Sequence, residues 1–137
     1  MLSSLDRTNE GVHDPKTDTD KKKLFSMMDN GVVGLIFADL SLKLEHLNPV
    51  AFATLKVLEG FLPVGVKDLV GQPVSVFHRQ PALIGKIIGD PRNLPYQTQI
   101  IIGPKTLDLQ ALGVYGENNN HYLGVMVEWT EITGESF

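Results

Sequence analysis

The chain has 137 residues, long enough for one domain around one hydrophobic core and too short for two of ordinary size. Its 42 % hydrophobic and 20 % charged residues are ordinary for a soluble globular protein, and a net charge of −4, with basic residues dispersed apart from Lys21-Lys22-Lys23, argues against nucleic acid as a partner. No apolar run approaches the ~20 residues of a membrane span and the N-terminus lacks a signal peptide's apolar centre, so the chain reads as cytoplasmic with no membrane segment.

The absence of cysteine removes disulfides, thiolate metal sites, cysteine nucleophiles and cysteinyl-flavin photochemistry. Imidazole is then the remaining strong soft-metal ligand, in four copies. Residues 1–20 are rich in Ser, Thr, Asp, Asn and Gly without apolar periodicity and read as a mobile tail. From Lys21 to Asp29 the spacing of Leu24, Phe25, Met27 and Met28 predicts a short amphipathic helix capped by Asp20, whose apolar face needs a surface to lie on.

Val32 to Ala38 and Leu42 to Leu47 predict a hairpin around Asp39-Leu40-Ser41, with His46 sharing a face with Leu42 and Leu44. Asn48-Pro49 is a cap residue followed by proline at the first helical position, and Phe52, Leu55 and Leu58 continue that helix towards Gly60. From Phe61 to Gln72, Pro63, Gly65 and Gly71 allow only short turns or a broken helix. Pro81 opens a further helix with the face Leu83, Ile84, Ile87 and Ile88, ending at Gly89. Three strands follow, Tyr96 to Ile102, Lys105 to Tyr115 and Tyr122 to Thr130, the last two joined by the turn-forming residues 116–120. Alternation puts Leu123, Val125, Val127 and Trp129 on one face, with Trp129 pointing into the core. Val32, Ile36, Leu112, Val114 and Met126 suggest a second, outer apolar face in need of a cover.

Helix, two strands, short helices and three strands form an α+β pattern, neither a βαβ repeat nor all-β. Over residues 21–133 it resembles a PAS domain, leaving residues 134–137 as a C-terminal end. Asn48-Pro49-Val50-Ala51 is similar to that family's Asn-Pro-x-Ala, Leu69-Val70-Gly71-Gln72 to its Ile/Leu-x-Gly-x, and Glu131-Ile132-Thr133 to its Asp-x-Thr, with glutamate for aspartate. The resemblance implies a five-stranded antiparallel sheet with short helices on one face and an N-terminal flanking helix.

A narrower likeness lies in Phe77-His78-Arg79-Gln80-Pro81 and in the strand ending at Trp129, which resemble PAS domains of bacterial chemoreceptors, some of which bind b-type haem. In those members the histidine of Phe-His-x-x-Pro ligates the iron, the strand tryptophan hydrogen-bonds the gas, and a leucine of the preceding strand shapes that side. The resemblance thus implies His78 as metal ligand, with Trp129 and Leu107, the nearest match, as further cofactor contacts. Neutral imidazole suits haem iron, and an indole N–H is a donor suited to a partly negative oxygen. From residue type and spacing alone, His78 reads as a surface or helix-end residue and Trp129 as core; only the resemblance points to haem.

His46 reads as a hydrogen-bonded core histidine, while His13 in the tail and His121 at a turn edge read as solvated. No Ser/His/Asp order or carboxylate pair suggests an enzyme. Two functions stay open. One is a haem sensor of oxygen or another diatomic gas, passing a signal to a downstream protein; the other is a cofactor-free module for homodimerisation or protein interaction.

Overall fold

A computed structural model describes residues 15–117 and 121–132. Its strands are β1 (Gly34–Ala38), β2 (Leu44–Leu47), β3 (Tyr96–Ile102), β4 (Lys105–Tyr115) and β5 (Tyr122–Ile132), forming one antiparallel sheet in the order β2-β1-β5-β4-β3. The first and last strands pair at its centre, with Gly34 opposite Trp129 and Ile36 opposite Val127. Helices α2 (Pro49–Val57) and α3 (Pro81–Ile88), with four 3₁₀ turns, are inserted between β2 and β3. Their apolar residues pack on the inner face: Ala51, Leu55, Ile84 and Ile88 join Ile36, Ile100, Val127 and Trp129 in one core. The helical faces are narrower than their spacing suggests, since Phe52 and Leu83 are about half exposed.

Asn48 holds the junction of three elements and is fully buried. Its Oδ1 accepts from the backbone N–H of Ala51 (2.9 Å) and of Leu35 (3.0 Å), while its Nδ2 donates to the carbonyls of Met28 (2.8 Å) and Val33 (2.9 Å). All four side-chain hydrogen-bonding positions are used, so one amide caps α2 and ties it to β1 and to the helix that precedes β1.

That preceding helix, α1, runs Pro15–Asp29. It begins before the expected Lys21, so Asp20 is not a cap but a buried residue inside the helix, placed towards the backbone N–H of Glu117 (3.4 Å). The added turns are held by polar contacts to the β4–β5 hairpin: Lys16 Nζ pairs with Glu117 (2.8 Å) and Thr17 Oγ1 lies 2.6 Å from His121 Nε2. Such contacts leave no apolar periodicity to read. Residues 1–14 of the expected tail, His13 among them, the turn residues 118–120 and the end from Thr133 lie outside the described residues.

The outer face is covered as its apolar character required. Leu24, Phe25 and Met28 of α1 pack on Phe37, Leu123, Leu35, Val114 and Met126. Val32 lies before β1 and is exposed, outside this cover. Two further expected memberships are corrected. Ile36 belongs to the inner core, while Leu123 joins the outer cluster although Val125, two residues on, faces inward. A bulge causes the second change, because β5 pairs Gly124 with Val114 and then Tyr122 with Tyr115, passing over Leu123. Gly124 has φ 150°, and a Cβ there would collide with the carbonyl oxygen of Ala38, so the bulge needs glycine.

A second bulge moves His46. β1 pairs Phe37 with His46 and then Ala38 with Leu44, passing over Glu45, so Leu44 faces inward and His46 outward. His46 is therefore not a core residue beside Leu44. Its ring stacks on Phe25 with centroids 4.3 Å apart, and Nε2 lies 2.8 Å from Asp29 Oδ1.

Candidate functional site

The segment before α3 carries the first site residue. A 3₁₀ turn, Val74–Phe77, ends at His78, whose extended backbone (φ −97°, ψ 149°) leads through Arg79 and Gln80 to Pro81 at the first position of α3. Gln80 makes no side-chain cap. Its own N–H instead donates to His78 Nδ1 (3.0 Å). With Nδ1 as acceptor, the neutral ring carries its proton on Nε2.

His78 and Trp129 stand in the wall of the same cavity, of about 50 Å³, between the helices and the inner sheet face. Val74, Phe77, Ile84 and Ile88 form the helical side, while Ile36, Ile100, Leu109, Ala111 and Val127 form much of the sheet side. The lining contains no acid, lysine or arginine, and His78 is its one titratable nitrogen. Its size admits a few water molecules at most, well below the ~300–1,000 Å³ of sites for larger ligands. An outer groove of about 620 Å³ shares Phe77, His78 and Ile100 with the cavity. Those three side chains are a common wall.

Trp129 is 4 % exposed and directly opposite both Gly34 and Leu109. Its indole lies over Gly34: a Cβ at that position would overlap Nε1 and sit 2.6 Å from Cε2. The ring thus contributes to the cavity while its N–H edge rests on the neighbouring strand. Leu107 is fully buried but borders a different groove, of about 240 Å³, with Val33, Gly34 and the other side of Trp129. On the cavity stands Leu109, one pleat along the same face of β4. Tyr96 and Thr98 also line it and were not singled out from sequence, although their alternation with Ile100 on β3 carries the signal.

His46 and His121 do not line this cavity; both sit against α1. Among the described residues no group of three or more His, Asp and Glu side chains converges as a metal site. A metal at His78 would have to arrive with ligands of its own.

No protein-family model matches the sequence, and no curated protein matches it. Solved structures do. The Vibrio cholerae Aer2 receptor, described as a dual PAS-haem oxygen sensor, is 26 % identical with a TM-score of 0.65, over 74 % of this chain and 96 % of that one. The PAS domain of Bordetella pertussis BvgS is 12 % identical at a TM-score of 0.58, over 83 % and 87 % of the two chains. The Rhodobacter sphaeroides LOV protein is 19 % identical at 0.57, over 86 % and 70 %. The last two share the fold alone. Sheet order, inserted helices and these likenesses agree: the chain has the PAS fold and resembles the PAS domain of the Aer2 receptor.

Proposed function

We propose that this PAS domain is a sensory module that holds b-type haem through His78 and receives oxygen or another diatomic gas near Trp129. One observation carries the reading: a single apolar, acid-free cavity has both residues in its wall. The 26 % identity to a receptor described as a PAS-haem oxygen sensor supports it.

The donor set fits the group. Haem would supply an iron centre able to bind a gas, and His78, one neutral imidazole at the edge of an apolar space, would hold it. Ligation through Nε2 requires the ring proton on Nδ1, so the bond from the Gln80 N–H has to give way to an acceptor for that proton. The cavity must also widen. Displacing Phe77 and His78 joins it to the neighbouring groove, and this stretch lies between a 3₁₀ turn and a helix, outside the sheet ladder. Ile84, Ile88 and Val127 keep water from the space, and the Trp129 N–H supplies the donor once its edge leaves Gly34.

Two observations favour a cofactor-free interaction module as the second reading: the cavity measures only about 50 Å³, and His78 Nδ1 is already bonded. In either reading the partners are a second copy of the chain or a downstream signalling protein, reached through α1 or through Glu131, which pairs with Lys105 (2.6 Å). No helix of the described residues is long and apolar enough to cross a membrane. Protein purified from cells supplied with a haem precursor should be coloured, with a Soret band at one haem per chain. A colourless product that also gains no band from added hemin supports the interaction module instead.

A further inference from the structure

We infer that Asn30-Gly31 is a self-modification site, at which the chain converts its own side-chain amide to a carboxylate and so loosens the α1 cover. Asn-Gly occurs once in the sequence, directly after α1 on the short link to β1, and Asn30 is exposed there. The chemistry needs no partner but water. The Gly31 backbone nitrogen attacks the side-chain carbonyl carbon of Asn30 and gives up its proton; the new C–N bond closes a five-membered succinimide, the bond from that carbon to Nδ2 breaks, and the amide leaves with the proton as ammonia. Water then opens either carbonyl of the ring. One opening gives aspartate with the original main chain, and the other gives isoaspartate, whose main chain runs through the side-chain carbon. Glycine favours the attack because it has no Cβ to shield its nitrogen.

The fold holds back both reacting groups. The Gly31 N–H donates to the Met28 carbonyl (3.0 Å), and Asn30 Nδ2 donates to the Ser26 carbonyl (2.8 Å). The Met28 carbonyl also accepts from Asn48 Nδ2 (2.8 Å), so the last turn of α1 is fixed to the buried amide that caps α2. Attack requires that turn to open, and helix ends open at lower free energy than the sheet beneath them. Asn93 is the internal contrast. It is exposed and its amide likewise donates to a helix carbonyl, that of Ile87 (2.9 Å), but Leu94 follows it and its side chain shields the nitrogen.

Both products act on α1. Each removes the donor to Ser26 and places a negative charge beside Asp29 at the C-terminal end of a helix, where the helix dipole disfavours it. Isoaspartate also lengthens the main chain within the turn that the Gly31 N–H closes. Leu24, Phe25 and Met28 lie in the two turns before this point, so their hold on the outer sheet face weakens irreversibly as the site converts.

The test ages the full chain in mildly alkaline buffer, folded and in concentrated urea, and follows the amide-to-acid mass gain at each asparagine by peptide mass spectrometry, with isoaspartyl methyltransferase labelling to mark isoaspartate. Asn30 should convert in both samples, roughly ten- to hundredfold more slowly when folded, and Asn93 should lag behind it in urea. Asn30→Gln should show no conversion at that position. Asn30→Asp, which carries one product's charge from the start, and the isoaspartate fraction of aged wild type should both exchange the backbone amides of α1 faster than fresh wild type, with β3 and β4 unchanged. An Asn30 that stays intact in the folded chain while it converts in urea overturns the site, and equal rates in the two samples overturn its control by the α1 turn. Unchanged α1 exchange in both modified forms overturns the loosening of the cover.

Discussion

Trp129 and Gly34 show how one residue's absence of a side chain sets another's position. They are cross-strand partners, and the indole occupies the space a Cβ would need. Gly34→Ala should therefore destabilise by ~1–3 kcal/mol through overpacking, measured by urea unfolding, and Trp129→Phe in the same chain should recover part of the loss. The indole also has a chemical role in the haem reading. Trp129→Phe should keep the fold and the Soret band but speed oxygen dissociation roughly tenfold or more, as expected for losing a charge-assisted hydrogen bond of ~1.5–3 kcal/mol. Carbon monoxide carries less negative charge on its outer atom and should respond less. Stopped-flow rates for the two gases check this: equal changes would indicate altered pocket shape, and unchanged rates a tryptophan that is core alone.

At the scale of elements, α1 and Asn48 connect the outer cover to the inner core. Met28 is 1 % exposed under α1, and its carbonyl also receives the Asn48 amide. A chain beginning at Asn30 loses Leu24, Phe25 and Met28 from the outer cluster, side chains worth ~1.5–3 kcal/mol each when fully buried, and should aggregate or melt well below the full chain in a thermal scan. Asn48→Ala removes a cap worth ~0.5–2 kcal/mol and strands buried groups at ~1–3 kcal/mol each, so a loss of at least ~3 kcal/mol is expected from chemical denaturation.

The same elements divide what the sequence discloses from what it does not. β3 and β4 run between the residues their alternation indicates, and Asn48-Pro49 starts α2 where a cap followed by proline should. The two bulges were not legible, because one extra residue in a strand alters no composition or period yet turns Leu123 and His46 to the other face. The first turns of α1 were hidden for a different reason. They are held by Lys16 and Thr17 meeting Glu117 and His121, about a hundred positions away in the chain, a pairing that only the folded hairpin creates. For the site, only the resemblance to haem-binding PAS domains singles out His78 and Trp129, while the bond on His78 Nδ1 and the small cavity depend on backbone placement. Choosing between Leu107 and Leu109 likewise required the β4–β5 register.

On the scale of the whole molecule, the site joins the two halves of the chain. The N-terminal hairpin and the C-terminal strands meet at the β1–β5 pair, the inserted helices close over that seam, and the cavity lies beneath them. His78 reaches it from the insertion and Trp129 from the last strand, beside the Glu131–Lys105 pair near the end of β5. In the haem reading, a ligand held between His78 and Trp129 would act directly on β5, the strand that carries Trp129. All of this depends on His78 holding the ligand. The most direct measurement is a hemin titration of wild type, His78→Ala and His46→Ala followed by visible absorption. The expected result is a stoichiometric Soret band in wild type and in His46→Ala, whose ring sits on the outer face against Phe25, with loss of the band in His78→Ala. Equal spectra for wild type and His78→Ala, or no band in wild type, would contradict it.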